Sequence, residues 1–126
     1  MDLKGRKRSE WTRLLKSFSF AWDGIKTALR EERNFQIHLI VAVVVLFAAF
    51  WFELTRYEWI IILFLITGML SLELMNTAVE RVVDLVTKEY KPLAKYAKDT
   101  AAAAVLLYAV LSIIVGFIIF LPKLIN

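Results

Sequence analysis

The sequence contains no cysteine, four glycines and one histidine among its 126 residues. Without cysteine, the chain has no disulfide framework and no thiolate metal site. The glycines, at positions 5, 24, 68 and 116, are too far apart to form a Walker A loop or the glycine-rich loop of soluble kinases. Any nucleotide site must therefore be built in another way. The single histidine, His38, falls at the boundary of an apolar run, where we expect a structural role and no part in catalysis.

Apolar residues dominate the composition. They make up 60% of the chain, and the mean hydropathy is +0.62, whereas soluble domains are about 45–50% apolar. A single domain of this length lacks the interior volume to bury so much apolar surface, so the composition indicates a membrane protein. The net charge of +4 is modest, and no nucleic-acid-binding motif accompanies the basic residues, so we expect no nucleic-acid partner.

Three apolar stretches, at about 35–52, 59–79 and 100–121, have the length of membrane-spanning helices. Membrane-spanning strands are not expected here, because three strands cannot close a barrel that pairs every backbone group. The first stretch is not followed by a small-residue cleavage site, so we expect it to be retained. The sequence thus predicts one all-α domain covering residues 1–126, with three transmembrane helices.

The basic residues are distributed unequally between the two sides of the predicted spans. Residues 1–34 contain nine of them and residues 81–99 contain five, against only Arg56 and Lys123 on the other side. The positive-inside rule then places the N-terminus and the second loop in the cytoplasm, and the C-terminus outside. On the outer side, Glu53 and Glu58 are expected to be merely solvated.

Residues 9–31 have the pattern of a basic amphipathic helix. Apolar residues recur at three- and four-residue spacing, and basic residues occupy the other faces. The apolar set is Trp11, Leu14, Leu15, Phe18, Trp22, Ile25 and Leu29. This pattern favours a helix that lies on the membrane surface, although packing against partner helices in an oligomer is the alternative. Further along, residues 88–99 are expected to form an exposed linker because they contain Pro92 and several lysines.

An acidic stripe crosses the end of the second span, in the segment SLELMNTAVERVVD. At about 100° per residue, Glu73, Glu80 and Asp84 fall on one face of a helix, with Asn76 beside them. Ionisable residues in a membrane segment are costly and usually functional. The alternative is that these carboxylates form a charged helix end, paired with Arg81 or Lys98.

Two other segments place matching groups on the same side of the membrane. Glu31 and Glu32 precede the first span, and Lys98 and Asp99 precede the third, where Asp99 could also cap a helix. Carboxylates suit Mg²⁺, which usually retains waters and substrate phosphates in its coordination shell, and a lysine suits a phosphate as a point charge. The combination indicates phosphoryl transfer from a nucleotide.

The segments ELMNTAVERVVD (73–84), AKDTAAAAV (97–105) and EERNF (31–35) resemble the small bacterial membrane diacylglycerol kinase family, which includes undecaprenol kinases of Gram-positive bacteria. The likeness covers about residues 13–121. It implies a homotrimer with active sites shared between subunits, Mg²⁺-ATP as the phosphate donor and a membrane lipid alcohol as the acceptor.

The resemblance also implies roles for individual residues. Glu73 would be the general base, with Asn76 ordering the site, and Glu32 and Glu80 would hold Mg²⁺. The nucleotide would be bound by Arg13, Phe20, Glu32, Glu80, Glu89, Tyr90, Lys91, Lys98 and Asp99, and the lipid by Arg13, Trp22, Phe35 and Glu73. Two positions depart from the family: Phe20 stands where some members carry tyrosine, and Asp23 replaces a basic residue.

Three classes of function are therefore open. The first is a lipid kinase, with undecaprenol preferred over diacylglycerol as the acceptor because RNFQIH and the FLPKLIN ending resemble Gram-positive members. The second is a cation-coupled transporter, since intramembrane carboxylates also serve proton and ion relays. The third is a non-catalytic membrane scaffold in which the carboxylates only form ion pairs.

Overall fold

The computed structural model describes residues 3–126, with side chains from Ser9 onward. It consists of four helices: α1 (Leu3–Glu31), α2 (Arg33–Trp51), α3 (Arg56–Val86) and α4 (Pro92–Ile125). No strand occurs among the described residues, which confirms the predicted all-α fold. One compact unit ends at Arg33, and the other comprises Asn34–Asn126.

Three of the helices, α2, α3 and α4, are long and apolar enough to cross a membrane. They contain 19, 31 and 34 residues, and each encloses one of the predicted spans apart from Phe52. Most of their large apolar side chains are exposed, as lipid-facing side chains would be. α1 begins at Leu3, six residues before the predicted start of the surface helix, and its apolar residues Trp11, Leu15 and Phe18 are exposed.

A tight turn of four residues joins α2 to α3. The N–H of Leu54 donates to the carbonyl of Ala49 at 3.2 Å, and the N–H of Glu53 donates to the carbonyl of Phe50 at 3.3 Å. This bonding pattern is a Schellman motif. Its left-handed position is occupied by Glu53, with φ of 51°, where glycine is usual. Leu54 and Ala49 are buried together in a core cluster with Ile62 of α3 and Ile119 of α4, so the turn also packs the three helices.

The start of α3 is capped by a reciprocal pair of hydrogen bonds. The side chain of Thr55 accepts from the N–H of Glu58 at 3.3 Å, and the Glu58 carboxylate accepts from the N–H of Thr55 at 2.9 Å. Lys123, near the end of α4, lies 3.2 Å from the same carboxylate. The expectation that Glu58 is merely solvated was therefore wrong, because the residue caps one helix and pairs with another.

Close packing holds α3 against α4 near the middle of both helices. The Tyr108 hydroxyl of α4 donates to the carbonyl of Phe64 at 2.8 Å. Its ring lies directly over Gly68, where an added Cβ would be only 2.0 Å from the hydroxyl oxygen. A glycine at this position is what lets the tyrosine reach the backbone of α3.

The connection between α3 and α4 is shorter than the sequence predicted. α4 begins at Pro92, so only residues 87–91 link the two helices, and the linker predicted over 88–99 was wrong in extent. Proline suits the first turn of a helix because its missing N–H would have no partner there. Asp99 consequently lies inside α4, where it pairs with Lys95, and the alternative role of Asp99 as a helix cap was wrong.

Candidate functional site

The second half of α3 carries a cluster of buried polar side chains. Glu73 is 3% exposed, and Asn76 and Thr77 are each 7% exposed, whereas apolar residues of the same helix such as Phe64 and Met75 are largely exposed. Polar groups are costly in a membrane-crossing helix unless they are paired within the protein or serve a function. Their burial identifies this face of α3 as the candidate site.

His38 of α2 is one neighbour of Glu73. Its Nε2 lies 3.7 Å from Oε2 of the carboxylate, which is longer than a hydrogen bond but within the range of an ion pair when the imidazole is protonated. The side chain of His38 is 26% exposed, against 4% for that of Glu73. Two ionisable groups from different helices thus meet at this point.

One turn along α3, Asn76 contacts Glu80. Its side-chain N–H donates to Oε1 of Glu80 at 3.5 Å, while its own amide oxygen is buried without a hydrogen-bond partner. Buried polar atoms are nearly always satisfied in native proteins, so an unsatisfied oxygen here indicates a place where a ligand could bind.

The same pair can be tested as a site for a hard cation. The Asn76 amide and the Glu80 carboxylate supply oxygen atoms on adjacent turns, and oxygen is the donor that Mg²⁺ prefers. Among residues 9–126, no group of three or more histidine, cysteine or acidic side chains is arranged to hold a metal. Mg²⁺ does not need such a group, since it is often held by one or two carboxylates together with substrate phosphates. The residues present therefore fit a magnesium ion that arrives with a nucleotide.

A cleft of about 410 Å³ is formed by the end of α3, the connection and the start of α4. Opposite charges meet in it: Lys98 lies 2.6 Å from Asp84, Lys91 lies 3.5 Å from Glu89, and Lys95 pairs with Asp99. Five of the residues expected to bind nucleotide line this cleft, namely Glu89, Tyr90, Lys91, Lys98 and Asp99. The alternative interpretation, in which a carboxylate of the stripe pairs with Lys98, is confirmed for Asp84.

The remaining expected site residues lie earlier in the chain. Arg13, Phe20 and Trp22 are exposed on α1, and the N–H of Glu32 donates to the carbonyl of Ala28 at 2.9 Å where α1 ends. Phe35 is buried at the start of α2. Because Glu32 belongs to the first unit and Glu80 to the second, their convergence on one metal ion stays a prediction.

A second, apolar cleft of about 610 Å³ lies between α2, α3 and α4. Among the residues that line it, His38 and Ser112 are the polar ones, and the rest are apolar apart from Gly116. Sequence reasoning had assigned His38 no role in the chemistry, so its place beside Glu73 was missed. The sequence did contain a signal for this role, the same one that identified Glu73 in α3. An ionisable residue in an apolar run is a functional candidate wherever it occurs.

Comparison with known proteins gives consistent matches. The sequence profile described as prokaryotic diacylglycerol kinase matches residues 19–120. The undecaprenol kinase of Bacillus subtilis is 54% identical over 124 residues, which cover 98% of this chain and 100% of that protein. A diacylglycerol kinase of Synechocystis is 44% identical over 114 residues, covering 90% of this chain and 65% of that protein. The diacylglycerol kinase of Escherichia coli is 27% identical over 104 residues, covering 82% and 85%.

Proposed function

This chain belongs to the prokaryotic diacylglycerol kinase family and is a multi-pass membrane lipid kinase, and we propose that it phosphorylates undecaprenol to undecaprenyl phosphate. The observation that carries the proposal is the 54% identity to an undecaprenol kinase over that protein's whole length. Diacylglycerol is the second candidate acceptor, because a diacylglycerol kinase is 44% identical over 90% of the chain. Family membership sets aside the transporter and the scaffold.

In the proposed reaction, ATP is the phosphate donor and Glu73 is the general base. The lipid hydroxyl oxygen forms a bond to the γ-phosphorus while the bond from that phosphorus to the bridging oxygen of ADP breaks. The hydroxyl proton passes to the Glu73 carboxylate. The position of this carboxylate in a membrane-crossing helix supports the role, since a lipid alcohol would not have to leave the bilayer to approach it.

The proposed magnesium ligands are Glu80 and Glu32, with Asn76 ordering the site. The side chain of Asn76, whose N–H contacts Glu80 and whose amide oxygen has no hydrogen-bond partner, supports this assignment. When bound, the ion would neutralise charge on the nucleotide phosphates. The protein side chains would then hold the phosphates at the same depth in the membrane as Glu73.

The proposed nucleotide site is the charged cleft at the end of α3. Lys98 and Asp99 would contact the nucleotide together with residues 89–91, and Arg13, Phe20, Glu32 and Glu80 would complete the site. Lys98 already pairs with Asp84, so a phosphate would bind by replacing or sharing this partner. Arg13, Trp22 and Phe35 would contact the lipid beside Glu73.

We further propose that three copies assemble and share their active sites. The small residues at 101–104 support this, since most of them are exposed on α4 and small residues let another helix approach closely. The distribution of basic residues supports a cytoplasmic N-terminus and second loop, which we propose as the orientation. Exposed tryptophans and interspersed basic residues make α1 suitable for the cytoplasmic surface of the membrane.

The acceptor is tested by incubating purified protein with Mg²⁺, labelled ATP and each lipid in turn. We expect label in undecaprenol to exceed label in diacylglycerol at equal concentrations in the same mixed micelles. Label in diacylglycerol alone would overturn the choice of acceptor while leaving the lipid kinase activity intact.

The base is tested with Glu73→Gln, which keeps the shape of the side chain but removes its ability to take a proton. We expect loss of nearly all lipid phosphorylation, by at least about 100-fold, with the oligomeric state in detergent unchanged. Glu53→Gln is the matched control, because it makes the same change at an exposed position in the turn between α2 and α3. If Glu73→Gln is as active as this control, Glu73 is not the base.

A further inference from the structure

His38 lies on the inward face of α2. The buried or core-packed residues of this helix are at positions 35, 42, 45 and 49, and position 38, whose side chain is 26% exposed, continues the same three- and four-residue spacing. Four of these positions are occupied by phenylalanine, alanine, valine and alanine, and His38 alone carries a polar side chain. An apolar residue would fill this position at no desolvation cost, so the imidazole requires an explanation beyond packing.

Glu73 supplies the partner on the facing helix. Its carboxylate is almost fully buried, and Nε2 of His38 is 3.7 Å from one of its oxygen atoms. A buried carboxylate keeps a defined orientation only when fixed groups around it interact with its oxygen atoms. An imidazole on a separate helix can do this without a change in the backbone of α3.

His38 contacts the apolar cleft as well as Glu73. His38 lines this cleft, whereas Glu73 is not among the described residues that form its wall. The imidazole therefore borders both the cleft and the carboxylate. The distance of 3.7 Å between His38 and Glu73 is longer than a hydrogen bond. Contacts between catalytic groups are often this long in the free enzyme and shorten when substrate binds.

We infer that His38 is a positioning residue, which holds the Glu73 carboxylate in one orientation for proton transfer from the lipid hydroxyl. The inference rests on the proposed role of Glu73 as the base. His38 itself takes no proton from the substrate. Its contribution is the geometry of the base, and small displacements of a catalytic group are costly to the rate.

The kinetic test compares two substitutions at this position. His38→Phe keeps a ring of similar shape without nitrogen, and we expect it to lower kcat about tenfold or more while KM for ATP changes by less than about twofold. His38→Gln places an N–H at a similar reach, and we expect it to recover most of the lost kcat. Val45→Ala is the control for loosened packing on the same face of α2; it should lower the thermal midpoint without lowering kcat.

The outcomes separate the inference from the proposal beneath it. If Glu73→Gln is inactive but His38→Phe keeps wild-type kcat, the inference fails and the proposed base stands. If His38→Gln is as slow as His38→Phe, an N–H at this reach does not restore the rate, and the inference fails. If Glu73→Gln keeps wild-type activity, the proposed base fails, and the positioning role fails with it.

A second measurement reports the contact directly and does not depend on activity or on any His38 variant. His38 is the only histidine in the chain, so the ring nitrogen signals of ¹⁵N-histidine-labelled protein without a polyhistidine tag belong to it alone. We expect these signals to shift in Glu73→Gln and to remain unchanged in Glu53→Gln. Unchanged signals in both variants would overturn the inference.

Discussion

Gly68→Ala tests how α3 and α4 are held together. The new Cβ would lie 2.0 Å from the Tyr108 hydroxyl oxygen and 2.4 Å from the adjacent ring carbon. Because ordinary contact distances are about 3.5 Å or more, the ring must move by roughly 1.5 Å. That movement also breaks the hydrogen bond from Tyr108 to the carbonyl of Phe64.

The expected magnitude follows from three contributions. Overpacking a helix interface costs about 1–3 kcal/mol, and losing one side-chain hydrogen bond in a membrane protein costs about 0.6 kcal/mol. Alanine regains up to about 1 kcal/mol over glycine through its helix propensity. With the full regain of about 1 kcal/mol, the net loss of stability for Gly68→Ala is roughly 0.6–2.6 kcal/mol.

The assay is unfolding in detergent, followed by circular dichroism, with two matched variants. Gly116→Ala makes the same substitution in α4, where no atom lies within 4 Å of the added Cβ, so its stability should be unchanged or slightly raised. In the double variant Gly68→Ala/Tyr108→Ala the obstructing ring is absent, so it should be no less stable than Tyr108→Ala alone. The reasoning is refuted if Gly68→Ala unfolds together with Gly116→Ala.

Three further outcomes are expected. Lys98→Ala should raise KM for ATP about tenfold or more, because the proposed contact of its charge with a nucleotide phosphate is lost. Asp84→Asn, which changes the partner of Lys98, is the comparison. An unchanged KM for Lys98→Ala in the steady-state assay would exclude Lys98 from the proposed nucleotide site. Glu53→Gly should stabilise the protein by about 1 kcal/mol in the same unfolding assay, because glycine adopts the left-handed conformation without strain, and Glu53→Ala should give no such gain. Asn76→Leu should raise the thermal midpoint, because an unsatisfied buried amide oxygen is removed, yet abolish lipid phosphorylation; retained activity would exclude Asn76 from the site.

The helices themselves could be predicted from sequence, because the length of each apolar run and its flanking charges set where a membrane span can begin and end. Their outer limits could not be predicted as well. Lysine-rich segments read as loops by composition, yet residues 92–99 continue α4 beyond its apolar part, with pairs such as Lys95–Asp99 on successive turns supporting the helix.

Periodicity identified the acidic face of α3 but not the groups that meet it. The spacing of Glu73, Asn76 and Glu80 is a property of one helix, whereas the approach of His38 depends on how α2 packs against α3. The partner of Asp84 was predictable as one of two basic residues, because a short connection brings Lys98 back beside it. His38 and Glu73 are 35 positions apart in the chain, and no local pattern links them.

The length of α3 has a consequence for where the enzyme can work. Its 31 residues measure about 46 Å, whereas the hydrocarbon core of a bilayer is about 30 Å thick. Roughly a third of the helix therefore extends beyond the hydrocarbon core. Glu73 and Asp84 are separated by about 16 Å along the axis of α3. The lipid alcohol can remain in the bilayer and the nucleotide in water, and their reacting groups can still meet beside the same helix. A thicker or thinner bilayer would shift the depth of Glu73 relative to the substrate hydroxyl, so the turnover rate should follow the acyl length of the host lipids.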